Sequence, residues 1–485
     1  MIVGGGVSGL ATAYFLAKQG IRSTIVEKSE RLGGLIQTDR VEGCDLEAGP
    51  DSYVAAKPWV TQLAGELGIQ DRIIGSNDAQ RRIFIVRHGK LRAFPKGMVM
   101  MAPAEWGPVL RSPLFSAATK LQFIRERFMP PRKRDEDVSI QQFVTEHFGR
   151  EVLDMVTEPL LSGVYGGEAG RLSARSVLPR FMEYEAQYGS LIRGVRMERK
   201  GRGFAPPDAK RTPHPFWRRV NPGPFCASVP QERLLASPGS LFLSFAGGMQ
   251  TFSDALRGGI QPAPEIVRGE AVTIDRQADS WRVRVSDDWI DAAQVVLACP
   301  AHASAGIVSG VSPQLSLELS AIPYSSAILV MLLFRRAELT HPLNGFGFLT
   351  PPSERKVVAA ATFINTKFPS RIANGIAAIR CFLVGRQAEE LMPVAESDLL
   401  RLIREDLGRL MGVTAEPIAH TIHRWPQSMP QYIVGHADRC RRIGDRLLQL
   451  SGLYVTSNAF DGVGVPDCVR LAKETANFVM LRARI

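Results

Sequence analysis

An α/β fold class, α+β overall, is predicted for this chain by three observations. A glycine-rich turn stands between a short apolar strand and a helix at the start of the sequence. A second Gly-rich turn opens a helix near the end, again directly after an apolar strand. Between them, short apolar strands alternate with turns and with helices that carry apolar stripes. The 485 residues exceed one ordinary core, which predicts two or three domains sharing one cleft.

The first strand ends at Ile2-Val3. Gly4-x-Gly6-x-x-Gly9 follows, with Gly5, Val7 and Ser8 in the turn, and Ala11–Lys18 has helix-forming composition. Strand, glycine turn and helix in that order predict a Rossmann-like dinucleotide-binding unit. Its glycines permit a tight turn, close approach to a pyrophosphate and close helix packing, and the helix N-terminus favours the anion. A second strand, Ile21–Val26, ends at Glu27, near the ~20-residue spacing of an acid that accepts hydrogen bonds from a ribose. A lone glycine motif also describes a surface turn; the strand, helix and acid around it favour the nucleotide. The strand before the glycines is short. Either the natural start lies upstream, or the strand is trimmed and cofactor affinity falls with it.

Near the end, strand Leu453–Thr456 leads into Ser457-Asn458-Ala459-Phe460-Asp461-Gly462-Val463-Gly464-Val465-Pro466-Asp467, and a helix is expected from about Cys468 to Leu481. Free N–H groups there suit an anionic acceptor. A middle piece, about 240–305, offers Phe245 to Gln250 before a helix reaching Leu256. Strands are expected at Val267–Ile274 and Trp281–Val285, and a buried parallel strand ends at Cys299-Pro300.

Residues 87–134 are basic and apolar together. Lys90, Arg92, Lys96, Arg111, Lys120, Arg125, Arg127, Arg132, Lys133 and Arg134 face only Glu105 and Glu126, and Met98–Met101, Trp106, Leu110, Leu114, Phe115, Phe123 and Phe128 supply a greasy face. A solvated basic helical subdomain and attachment to an anionic membrane both fit. The stretch 201–239 is a Pro/Gly-rich insertion without regular structure. From about 306 to 435, strands at Ala327–Phe334, Val357–Phe363 and Ile376–Val384 and a helix near Glu396–Met411 suit a mixed or antiparallel sheet over a substrate.

The 59 Lys+Arg against 48 Asp+Glu give a formal charge of +11, which suits nucleic acid, an anionic membrane or an anionic small substrate. No zinc-finger spacing or aromatic RNA-binding signature is present, so no nucleic-acid partner is expected. Cys44, Cys226, Cys299, Cys381, Cys440 and Cys468 are scattered without C-x-x-C spacing, and read as reduced, mostly buried thiols of an intracellular protein. No signal peptide is expected, since the chain enters the glycine turn at once. The longest apolar run, Ile322–Phe334, contains Pro323 and is stopped by Arg335-Arg336; it reads as a buried strand, not a membrane span. The expected location is cytoplasmic, with peripheral contact at the inner membrane face left open. His420 and His423 form a near pair without a third ligand, and no metal is expected.

Glu27-Lys28-Ser29-Glu30-Arg31-Leu32-Gly33-Gly34 resembles the glutathione-reductase-like FAD families, in particular their amine-oxidase and porphyrinogen-oxidase branch. Further segments resemble the oxygen-dependent protoporphyrinogen/coproporphyrinogen III oxidase family. These are Gly49-Pro50-Asp51-Ser52-Tyr53, Phe148–Glu151, Pro159–Glu168 with Leu172-Ser173, Gly189-Ser190-Leu191, Trp425–Tyr432 with Gly435-His436, and Gly462–Cys468. The matches span nearly the whole chain outside 201–240, and Gly163–Glu168 and Trp425–Tyr432 are the most specific.

The resemblance implies an FAD-binding domain of glutathione-reductase type at 1–50, 240–305 and 436–485. It implies a mixed-sheet substrate-binding domain at 51–86 and 306–435, and a helical, membrane-associating or simply basic subdomain at 87–200. FAD contacts are carried over to Gly4, Gly5, Gly6, Val7, Ser8, Gly9, Glu27, Lys28, Arg31, Gly33, Gly34, Leu35, Gly49, Pro50, Asp51, Ser52, Val272, Trp425, Asn458, Gly462, Val463, Gly464 and Val465. Candidate substrate contacts are Asp51, Arg82 and Gly166, although Asp51 is also an ordinary turn residue. No catalytic base is named.

The implied reaction is six-electron oxidation of a porphyrinogen in heme biosynthesis, in three flavin cycles, with O2 as acceptor and H2O2 released. Coproporphyrinogen III and protoporphyrinogen IX both remain open as substrate. Some members place an Arg where this chain has Ile83, with Arg82 beside it, and that departure leans toward coproporphyrinogen III. Hand-over of product to the next heme-pathway enzyme is a further open partner. Competing readings are an amine oxidase, a carotenoid desaturase, or a non-catalytic escort on the same fold. The escort reading fits poorly, because both halves of the FAD motif are intact.

Overall fold

The computed structural model describes residues 1–199 and 240–483, so the insertion expected at 201–239 lies outside the described residues. The fold is mixed α/β, and the chain divides into two compact units. The first holds Met1–Asp78, the described middle segment up to Pro323, and the chain from Asp438 onward; the second holds Ala79 to Arg199 and Tyr324–Ala437.

The first unit is built on a five-stranded sheet in the order Glu265–Arg268, Thr24–Glu27, Ile2–Val3, Val295–Leu297, Leu453–Val455. Every pairing is parallel. Parallel strands buried on both faces read as short continuous apolar runs, and Val295, Val296 and Leu297 are all buried. Helix Val7–Ala17 buries nearly its whole surface; Leu10, Tyr14 and Phe15 join a core shared with Val469, Ala472, Ala476 and Val479 of helix Val465–Ala483. Strand Phe242–Phe245 lies between Tyr53–Val54 and Ile73–Gly75, so residues 51–78 cluster here.

Several boundaries differ from expectation for local reasons. The run Val267–Ile274, expected as one strand, is two: Glu265–Arg268 joins the parallel sheet, and Ala271–Arg276 begins an antiparallel meander with Trp281–Val285 and Asp288–Ala292. The break falls at Gly269, whose φ of +157° and closeness to Val285 exclude a side chain. The second strand starts at Thr24, not Ile21. The last helix starts at Val465, not Cys468; Pro466 is tolerated in a first turn, and Asp467 bonds back to the Gly464 N–H.

The second unit carries a seven-stranded sheet in the order Ala419–Pro430, Tyr324–Arg335, Ile376–Val384, Ala360–Phe363, Gly347–Leu349, Ile83–Arg87, Lys90–Ala93. Only the Gly347–Leu349 and Ile83–Arg87 pair is parallel. Period-two alternation sends Ile328, Val330, Leu332, Ile379, Cys381 and Leu383 to one face, where Leu399, Ile403 and Leu407 of helix Glu396–Met411 cover them.

The 87–199 region is not purely helical: it includes strand Lys90–Ala93 and a short Met98–Val99/Ala102–Pro103 pair. Its expected greasy face is divided. Met101, Leu114, Phe115 and Phe123 are core, with Phe143, Phe148 and Val152, whereas Leu110 and Phe128 are exposed.

Candidate functional site

The glycine turn of the first unit is shaped by contacts that leave no room for side chains. Gly4 has φ +106° and donates its N–H to the Val26 carbonyl at 2.8 Å. A Cβ on Gly9 would lie 1.9 Å from the Gly4 carbonyl oxygen, so only glycine lets the helix approach the strand. Gly6 is the helix N-cap, in extended conformation and with no side-chain cap. The first-turn N–H groups, from Val7 to Gly9, have no partner within an α-helix. They form a cradle suited to a diphosphate.

Gly33 and Gly34 close against this turn. The Gly33 N–H donates to the Gly5 carbonyl at 2.8 Å, Gly6 and Gly33 form a parallel bridge, and a Cβ on Gly34 would stand 3.1 Å from Gly6 Cα. Gly49 backs the same loop, since a Cβ there would meet the Leu35 carbonyl at 1.8 Å; Leu35 itself is partly exposed. Pro50, Asp51 and Ser52 continue from Gly49 and are half-buried. The Ser52 hydroxyl donates to Asp51 Oδ1 at 2.7 Å, and Ser244 Oγ donates to the Asp51 carbonyl at 2.7 Å.

Glu27 ties the turn to its sheet. Its Oε2 accepts the Gly5 N–H at 2.6 Å, and its Oε1 accepts both the N–H and hydroxyl of Ser29. A carboxylate has about four acceptor sites, so capacity remains for ribose hydroxyls. Lys28 is exposed and stands 3.9 Å from Glu270. The Arg31 guanidinium braces the loop by donating to the carbonyls of Leu32, Gly34 and Ile36, and burial lowers its pKa from the ordinary value. Val272 lies at the register irregularity between Ala271 and Thr273 and is exposed.

The C-terminal turn meets the same cradle. The Cys468 thiol hydrogen-bonds with the Ser8 side chain, joining the starts of the last and first helices; burial pushes this thiol up to about 11, so it stays protonated at neutral pH. Asn458, Gly462, Val463, Gly464 and Val465 form the approach to the last helix, and Gly462 has φ +98°. Two residues outside the sequence-derived set hold that approach: Lys57 Nζ donates to both oxygens of buried Asp467, at 2.8 and 2.6 Å. Asp467 carried a legible signal, an acid three residues after Gly464. Lys57 carried none, because its partner is 410 residues away.

In the second unit, the two most specific sequence segments meet. Gly166, with φ +62°, ends helix Glu158–Tyr165, and a Cβ there would lie 2.5 Å from Ser325 Oγ. Gln431 Nε2 donates to Ser325 Oγ at 3.0 Å, to the Met429 carbonyl at 3.0 Å, and to the Tyr165 carbonyl. Gly167 leaves room for the Gln431 amide, so the Gly163–Glu168 and Trp425–Tyr432 signatures are two halves of one latch.

Trp425 is half-buried and stacks on His423, with centroids 6.0 Å apart. Register places it with Ala327, Leu329, Met331, Arg380 and Phe382 on the sheet face opposite the helix-covered core. Buried Arg380 lies over the Phe382 ring at 4.6 Å. Arg82 is exposed where strand Ile83–Arg87 begins, and its carbonyl accepts the Phe346 N–H. His420 pairs with Glu396 at 2.6 Å. Among the described residues, no cluster of His, Cys, Asp and Glu could hold a metal, and no helix is long and apolar enough to cross a membrane.

A family model described as flavin containing amine oxidoreductase matches residues 7–480. The chain belongs to that family. This flavin-containing amine oxidoreductase is an FAD-dependent oxidoreductase, and the cradle fits the cofactor. It is similar to coproporphyrinogen III oxidase of Bacillus subtilis (strain 168), 29% identical over 98% of this chain and 96% of that protein. It is also similar to protoporphyrinogen oxidase of Bos taurus, 27% identical over 99% and 98%. A solved protein from Exiguobacterium sp. 255-15 is 28% identical, with TM-score 0.82 over 99% of this chain and 98% of that one. UDP-galactopyranose mutase, 14% identical with TM-score 0.69 over 100% and 94%, shares the fold alone.

Proposed function

We propose that this flavoenzyme oxidises a porphyrinogen to the porphyrin in heme biosynthesis, with coproporphyrinogen III as substrate and O2 as final acceptor. The observation that carries the reading is end-to-end similarity to proteins named coproporphyrinogen III oxidase, at 29% identity over nearly the full length of both chains. Protoporphyrinogen IX is the second reading, favoured by the Bos taurus relative. The first unit binds FAD, and the second unit supplies the substrate surface.

FAD, when bound, supplies the two-electron acceptor. The first-turn N–H groups of helix Val7–Ala17 hold its diphosphate, Glu27 orients its ribose, and the Gly462–Val465 turn presents N–H groups to the flavin pyrimidine edge. Phe382 and Trp425, both half-buried on that sheet face, offer an aromatic surface to the macrocycle. Arg82 is the candidate cation for a propionate. The exposed apolar side chains Leu121, Ile124 and Phe128, beside Arg125 and Arg127, support peripheral contact with an anionic membrane.

The test is porphyrin fluorescence with time for the FAD-loaded protein in air, with coproporphyrinogen III and protoporphyrinogen IX offered separately and peroxide measured alongside. Faster turnover of coproporphyrinogen III with peroxide formed is expected. Rates equal to spontaneous oxidation for both substrates, with flavin bound, would overturn the assignment.

A further inference from the structure

We propose that the Lys57–Asp467 ion pair is a positioning device for the flavin. It fixes the Gly462–Val465 turn and neutralises the Asp467 charge, so that the last helix offers its full N-terminal field to the reduced cofactor. The inference rests on the FAD reading above.

Asp467 is the third residue of helix Val465–Ala483, and its Oδ2 accepts the Gly464 N–H at 3.3 Å, the acidic half of a capping box. The turn is packed directly on this carboxylate, since a Cβ on Gly462 would lie 2.2 Å from Asp467 Cγ. A shift of Asp467 therefore moves the glycines whose backbone meets the cofactor. Lys57 holds it from a rigid place. The Lys57 N–H donates to the Val54 carbonyl at 3.1 Å, and the next residue, Pro58, caps helix Trp59–Glu66.

The charge matters as much as the position. A helix N-terminus attracts negative charge, and a carboxylate in its first turn satisfies that attraction itself. Two-electron reduction places negative charge on the flavin pyrimidine edge. A lone buried Asp467 would repel that charge, whereas a Lys57–Asp467 pair is neutral. Arg470, one turn further along, is engaged by Asp461 at 2.9 Å and Glu474 at 3.1 Å. Lys57 is thus the cation that hydrogen-bonds the Asp467 carboxylate.

The experiment measures the reduction potential of bound FAD, and FAD retention on dilution, in full-length wild type, Lys57→Met, Lys57→Arg, and the double variant Lys57→Met/Asp467→Asn. Lys57→Met is expected to lower the reduced-to-oxidised equilibrium of bound FAD about tenfold, ~30 mV for a two-electron couple. Lys57→Arg restores it, and so does the double variant, which removes both charges together. A purely structural role predicts no recovery in the double variant and would overturn the charge argument. Gly6→Asp, run in parallel, tests the cradle, since a side chain there clashes with no backbone and enters the diphosphate space. Flavin retained in Gly6→Asp overturns the cradle and this inference together. Flavin lost there, with an unchanged potential in Lys57→Met, overturns the ion-pair role alone.

Discussion

A Cβ on Gly9 would lie 1.9 Å from the Gly4 carbonyl oxygen, whereas one on Gly6 would meet nothing nearer than Gly34 Cα at 3.8 Å. The two glycines of one motif therefore answer to different constraints. Gly9 serves packing, and Gly6 keeps the cradle open. Gly6→Asp should fold with an apoprotein urea midpoint near wild type, yet purify without flavin, because its carboxylate occupies diphosphate space. Gly9→Ala should cost about 1–3 kcal/mol in the apoprotein, by forcing the helix away from its strand. Flavin absorbance and urea unfolding of both variants check this, and equal stability losses would refute the division. Both glycines were legible as a spacing; which one was steric and which functional was not, because that depends on the backbone opposite each.

At the scale of elements, the helical part of the second unit is organised around a buried charged network. His147 Nδ1 lies 3.0 Å from Glu126, and its Nε2 lies 3.2 Å from Glu185, with all three side chains buried. Arg134 pairs with Glu185 at 2.7 Å. Glu126 also accepts the hydroxyl of Ser190 and the N–H groups of Leu191 and Ile192, which caps helix Leu191–Arg199 from another element.

Burial pushes the His147 pKa down, but its two carboxylate partners outweigh that and hold it above the ordinary 6.5. Burial likewise pushes Glu185 up, and hydrogen bonds from His147 and Arg134 reverse the shift and bring it to about 2. The His147 contribution is therefore present below pH 6.5 and lost as pH rises through the raised value. The Glu185 contribution is present above 4.5, its ordinary value, and lost as pH falls toward about 2. The stability gap between wild type and His147→Gln should be widest between about pH 4.5 and 6.5 and close at alkaline pH. Urea midpoints across pH measure it, and a gap independent of pH would exclude the protonated pairing. Glu126→Ala should cost about 3–5 kcal/mol, as it takes one of the two carboxylates from buried His147 and leaves the start of helix Leu191–Arg199 without that cap. Glu126 stood out in the sequence only as one of two acids in a basic stretch; its role needed partners 21 and 65 positions away.

On the scale of the whole molecule, the exposed Phe128, Ile124 and Leu121 beside Arg125 and Arg127 set an expectation for the intact protein. It should sediment with anionic vesicles at low ionic strength and be released as salt passes ~0.1 M, where the screening length falls to ~10 Å. Phe128→Ser with Ile124→Ser should weaken binding at every salt concentration. Absence of wild type from the vesicle pellet at low salt would rule out attachment. The expected greasy face was only partly right, because a composition run cannot separate Phe123, which is core, from Phe128, which is 74% exposed.

The sequence by itself determined what local chemistry can carry. Glycine spacing before a helix, an acid at a strand end, and period-two and apolar runs marked the nucleotide turn, the strands Trp281–Val285 and Ile376–Val384, and the helix Glu396–Met411. Only the tertiary structure decided which distant segments complete one another. It placed Lys57 on Asp467, Gln431 on the Gly166–Gly167 turn, and three separate stretches of chain in one parallel sheet. Such pairings are set by packing and by the pairing of buried charges across hundreds of residues, and no local spacing encodes them.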